Sequence, residues 1–123
     1  MLAAVAIGVG GALGALARYG ADRVIEHRLA GVFPWSTFLI NVSGCFLAGL
    51  VIAAIVDRHH APSWLGLGLV TGFLGAYTTY SMFAQETYDL GSYHLGVAIA
   101  NVVATVSVGL VAVSAGTVAG RHL

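Results

Sequence analysis

Inside its apolar stretches this 123-residue sequence carries neutral hydrogen-bonding side chains instead of charges. Asn41 is followed by Gly44, Cys45 and Ala48 at i+3, i+4 and i+7, the spacing of one helical face. Further on comes the polar run Tyr77-Thr78-Thr79-Tyr80-Ser81, and Phe83 follows Tyr80 by three residues, on the same helical face. Asn101 and Thr105 share another face, and Ser107 and Ser114 a third. A side-chain amide has two donor hydrogens and two acceptor lone pairs. Asn41 therefore suits either a link between helices or a polar pathway. A lone Ser or Thr in an apolar helix commonly bonds back to its own i−4 carbonyl, a structural role. An aromatic ring is positive at its edge, so Tyr80 and Phe83 presented edge-on would hold an anion weakly, without a full charge. Neutral donors and ring edges together replace the water around a small anion without trapping it.

The elements that position these groups follow from where the charges are. Asp, Glu and Arg make up 8% of the chain, five acids and five arginines, against about 25% in an ordinary soluble domain. They leave four uncharged windows, 1–17, 29–56, 59–85 and 90–120. About 20 apolar residues cross a hydrocarbon core, so the sequence predicts an all-α integral membrane protein. Its four transmembrane helices form one domain over 1–123.

The first helix is expected over Leu2–Tyr19, running on as a polar turn or two until Gly31 and Pro34 break it. Pro34-Trp35-Ser36 opens the second span, with Ser36 or Thr37 as its cap, and Pro62-Ser63-Trp64 opens the third. Gly91-Ser92 reads as a turn into a fourth span from Tyr93 to Val118. Between Gly72 and Phe83, glycines, aromatics and paired threonines make a poor continuous helix, so the third span is expected to break in mid-membrane. Gly10/Gly14, Gly44/Ala48, Gly68/Gly72 and Gly116/Gly120 are small-residue pairs that allow close helix approach, and their abundance suggests an oligomer. Arginines divide almost evenly between the two sides, with Arg58 and Arg121 opposite Arg18, Arg23 and Arg28. Orientation is thus weakly encoded, and an antiparallel dimer is a natural assembly.

Several functions are excluded. A net charge of +0 without a basic run gives nucleic acid no electrostatic footing. Cys45, the only cysteine, rules out intramolecular disulfides and thiolate metal sites and reads as a packing residue. His27, His59, His60, His94 and His122 all lie near predicted helix ends, so no titratable shuttle sits at depth. Clustered acids, bases or nucleophiles for an enzyme are absent from the sequence.

Three segments resemble the Fluc/CrcB fluoride channels of bacteria: GGALGALARY (Gly10–Tyr19), STFLINVSGCFLAG (Ser36–Gly49) and TGFLGAYTTYSMFAQE (Thr71–Glu86). The third is the most specific, and with the length and four spans the resemblance covers essentially the whole chain. It implies an antiparallel, dual-topology dimer in the bacterial plasma membrane, with two fluoride pores along the subunit interface and passive export of the ion. By position, Asn41 matches the pore asparagine, and Tyr80 and Phe83 match a pair of phenylalanines whose ring edges face fluoride. Ser81 and Thr105 are assigned to the same pathway, and Arg18 and Glu86 to its vestibule and mouth. Gly75 and Thr78 would give backbone carbonyls to a structural Na⁺ on the dimer axis.

Tyr80, Met82 and Asn101 depart from the family pattern. Some members work as two-chain heterodimers, so the departures raise the alternative that this is one subunit of such a pair. A small multidrug transporter is the remote alternative, since it needs an embedded glutamate and the first window has none.

Overall fold

A computed structural model of the chain describes residues 1–58 and 61–123, and His59 and His60 lie outside the described residues. Helix α1 covers Leu2–Arg28 and α2 covers Trp35–Val51, continued by a π-helical segment over Ile52–Arg58. The third span starts as α3 (Ser63–Gly66), widens into a π-helical stretch over Leu67–Leu74 and ends in the short α4 (Gly75–Tyr77). Two extended residues follow, Thr78 (ψ 160°) and Thr79 (φ −148°, ψ 113°), before α5 (Tyr80–Tyr93) and α6 (Leu95–Arg121). Leu2–Arg28, Trp35–Ile55 and Leu95–Arg121 are each long and apolar enough to cross a membrane. Among the described residues the divided third segment is not one of these long helices.

The break falls at Thr78-Thr79, within the stretch the sequence singles out. Two adjacent β-branched residues favour extended backbone, and Thr79 then restarts the helix. Its Oγ1 accepts the Met82 N–H at 3.3 Å as the N-cap of α5.

Helix α1 packs on the first half of the broken span, α2 on α6, and α5 on α6. Glycine makes these approaches possible. A Cβ on Gly10 would overlap the Gly68 carbonyl, and one on Gly14 the Phe73 carbonyl. Likewise a Cβ on Gly116 would overlap the Phe46 carbonyl of α2. The small-residue pairs are thus engaged inside one chain, and their number carries no argument for an oligomer.

Two local expectations are corrected. Helix α5 runs straight through Gly91 and Ser92, and the junction with α6 is the single residue His94 (φ −141°, ψ 61°). Its N–H bonds the Leu90 carbonyl at 2.6 Å while its carbonyl accepts from Val97 and Ala98, so a continuous pair of helix ends needs no glycine turn. Ser36 and Thr37 do not cap α2, whose N-cap is Pro34. Both are buried, and their hydroxyls donate instead to Asp22 and Glu86. A carboxylate takes a charge-assisted bond from each hydroxyl proton, for which a helix N-terminus, with only N–H groups to offer, has no acceptor.

Gly14→Ala should destabilise the protein by about 1–3 kcal/mol through overpacking against the Phe73 backbone. Gly8→Ala, inside the same helix but with nothing near its Cβ position, should hold or slightly raise the melting temperature of detergent-solubilised protein, because alanine favours a helix interior by about 0.5–1 kcal/mol.

Candidate functional site

Asn41 is the centre of the site. Its Nδ2 donates to the Thr79 carbonyl at 3.0 Å, and its Oδ1 accepts the Thr79 N–H at 2.9 Å. One amide side chain thereby satisfies both backbone polar groups of a residue at the break in the helix. The carbonyl takes one of its two Nδ2 protons, which leaves the other for the groove that Asn41 lines. Asn41 is therefore a helix-to-helix link and a groove residue at once.

That groove, about 450 Å³ and open on one side, brings Asn41, Thr78, Thr79, Tyr80, Phe83 and Thr105 together with apolar positions of α2 and α6. Among the described residues, no charged one lines it. Tyr80 and Phe83 share a face as their spacing predicts, with ring centroids 6.0 Å apart and planes tilted by 50°. Tyr80 remains 80% exposed in the single chain, so the groove is bounded by α2, α5 and α6 and open towards Tyr80.

A second, polar cavity of about 300 Å³ holds Arg18, Asp22, Glu26, Thr37 and Glu86, and Thr79 lines both cavities. Thr37 donates to Glu86 Oε1 at 2.8 Å. The other carboxylate oxygen, Oε2, is buried with no hydrogen-bond partner among the described residues. Ser81 lies outside both cavities; its exposed hydroxyl is 3.3 Å from Thr79 Oγ1.

The break also frees the two carbonyls singled out for a cation. In an unbroken helix the Gly75 carbonyl would receive the Thr79 N–H, which goes instead to Asn41. The Thr78 carbonyl would receive the Met82 N–H, which goes to Thr79 Oγ1. Two hard oxygens released from helical bonding fit the chemistry of a Na⁺ ion.

On the far side of Phe83 a hydrogen-bonded chain ties α5 to α6. Thr105 Oγ1 donates to Asn101 Oδ1 (3.3 Å), Asn101 Nδ2 to Thr87 Oγ1 (2.9 Å) and Thr87 Oγ1 to the Phe83 carbonyl (2.7 Å). Asn101 is only 1% exposed. Thr87 escaped the sequence reading because it sits beside Glu86 and Asp89, outside any uncharged window. The bond from Thr37 to Glu86 escaped it too, since the two residues lie 49 apart. The one available signal was Thr87 standing four residues after Phe83.

Together the long apolar helices define a multi-pass helical membrane protein, with a largely apolar groove beside its broken segment. The CrcB-like protein family (Camphor Resistance, CrcB) matches residues 5–117, and the chain belongs to that family. It is 42% identical to the fluoride-specific ion channel FluC of Acidobacterium capsulatum over 120 residues, covering 95% of this chain and 94% of the relative. It is 42% identical to the FluC of Geobacter sulfurreducens over 126 residues, covering 100% of each, and 41% identical to that of Solibacter usitatus over 119, covering 94% and 96%. Membership makes it a protein of the bacterial plasma membrane and of a channel family, not an enzyme.

Asn41→Asp keeps an acceptor for the Thr79 N–H but sets an oxygen against the Thr79 carbonyl. It should lower stability by about 1–3 kcal/mol, the cost of an unsatisfied buried group. Ser81→Ala, at an exposed site, should shift the melting temperature of detergent-solubilised protein by no more than experimental scatter.

Proposed function

We propose that the chain is a fluoride channel, passing the ion passively down its gradient through a pore that includes the Asn41 groove. The observation that carries this reading is the convergence of Asn41, Tyr80, Phe83 and Thr105 in one groove that no charged side chain among the described residues lines. The relatives' shared description as fluoride-specific channels supports it.

In this reading fluoride leaves water by exchanging its hydration shell for the second Asn41 amide proton and the positive edges of Tyr80 and Phe83. The Thr105 hydroxyl borders the path, and Ser81, outside both cavities in the single chain, borders the part of it that a second copy would close. Arg18 draws the anion into the vestibule and Glu86 stands at the pore mouth. Hydrogen fluoride enters cells as a neutral acid and ionises at cytoplasmic pH; the channel returns the trapped anion without ATP and without covalent chemistry.

The functional unit is an antiparallel, dual-topology dimer. The open side of the groove, with Tyr80 bare on it, becomes a closed pore when a second copy covers it. The near-even arginine distribution supports insertion in both orientations. The freed Gly75 and Thr78 carbonyls would hold a Na⁺ ion, which would supply a fixed positive charge near the dimer axis. The departures at Tyr80, Met82 and Asn101 favour, as a second reading, a heterodimer with a homologous chain.

Liposomes containing only this purified chain should release fluoride and retain chloride. Silent liposomes that conduct only after a homologous chain is added would establish the heterodimer, and silence in both cases would remove the fluoride reading. Phe83→Leu conserves apolar bulk at a cost under about 1.5 kcal/mol in a core, yet takes away a ring edge. Fluoride flux should collapse while dimers still elute at the wild-type position on size exclusion. Tyr80→Phe should keep or raise the flux, and wild-type flux from Phe83→Leu would sink the ring-edge assignment.

A further inference from the structure

The α5–α6 hydrogen-bond chain fixes the direction of every proton in it. It ends on the Phe83 carbonyl, which can only accept. Thr87 must therefore be the donor in that 2.7 Å bond, and its single hydroxyl proton is committed. Towards Asn101 Thr87 can then only accept, so the Asn101 side chain must present Nδ2 to it, at 2.9 Å. The amide orientation follows from the network, and Oδ1 is left facing Thr105. Thr105 must donate to it, at 3.3 Å, the longest link. The only hydroxyl proton of Thr105 thus points into the protein, and what Thr105 offers to the groove it lines is lone pairs.

The geometry points to Asn101 as a positioning residue that, through Thr87, holds the Thr105 hydroxyl as an acceptor towards the groove and so weakens anion binding on the α6 side. This inference rests on the fluoride reading of the groove. An arriving anion gains the Thr105 proton only by breaking the 3.3 Å bond and leaving Asn101 Oδ1 without its donor inside a residue that is 1% exposed. Throughput needs binding weak enough for release, and the chain keeps the α6 side of the path in that regime. Removing the Thr87 hydroxyl unlocks it. The Asn101 amide can then turn, give Nδ2 to Thr105 Oγ1 and free the Thr105 proton for the anion.

The direction of the chain can be read independently of transport. Asn41 and Asn101 are the only asparagines and Gln85 the only glutamine, so the side-chain amide region of ¹⁵N-labelled protein in bilayers is sparse. Thr105→Val should leave the Asn101 Nδ2 proton signal nearly in place, and the double variant Thr87→Val/Thr105→Val, which leaves that proton no acceptor in the chain, should move it strongly upfield. The reverse order, or equal shifts, overturns the inference. Thr87→Ala removes the same hydroxyl and serves if valine does not pack.

In fluoride efflux from liposomes, Thr87→Val should lower the half-saturating fluoride concentration about five-fold, the worth of one neutral hydrogen bond. The double variant Thr87→Val/Thr105→Val should lose that gain. A gain that survives loss of the Thr105 hydroxyl also overturns the inference. Wild-type liposomes that pass no fluoride would remove the functional reading, and the amide spectrum would still decide the hydrogen-bond direction.

Discussion

Everything in this protein's centre depends on the two hydrogen bonds between the Asn41 amide and the Thr79 peptide. A helix interrupted in an apolar setting leaves backbone donors and acceptors that water cannot reach, and each orphan costs on the scale of kilocalories. One carboxamide has the complementary pair of groups at the right separation to satisfy both. With the break held open, the helix restarts as α5, and Tyr80 and Phe83 are delivered to the groove. The freed carbonyls on the other side of the break are the same event seen from the preceding turn.

Around that centre the packing is economical because side chains are small where helices cross. Backbone meets backbone at Gly10 and Gly14 against the third span and at Gly116 against α2. In lipid, where apolar side chains gain nothing by meeting each other, such contact is what holds helices together. It leaves the larger residues for the outer faces, where Val5, Val9 and Leu13 of α1 and Val103, Leu110 and Val111 of α6 are exposed.

Three long apolar helices and the break in the segment between the second and third of them were legible because both are written in local composition: charge-free windows and a run hostile to helix. Tyr80 and Phe83 were legible as a pair because three-residue spacing survives any tertiary context once α5 is helical. Bonds between distant residues were not. Nothing local tells Thr37 that it will meet Glu86, or Ser36 that it will meet Asp22 instead of capping its own helix. The Gly91-Ser92 turn was misread because glycine and serine signal a turn only when packing does not oppose it, and here α5 continues to the residue that α6 starts from. Thr105 was legible as a polar groove residue, but the side its proton faces depends on a carbonyl two side chains away.

The widened turn over Leu67–Leu74 has a consequence for which changes the gene can accept. Upstream of the break, Gly68 and Gly72 are pinned against α1, and downstream Thr79 is pinned to Asn41. Each helical residue turns the chain by about 100° and advances it about 1.5 Å. Adding or removing one residue between Gly72 and Thr79 would swing the break away from its amide while leaving composition and hydropathy almost untouched. Point substitutions in this stretch are judged one side chain at a time. Single-codon insertions and deletions there are judged all at once, so length is the more stringent inheritance.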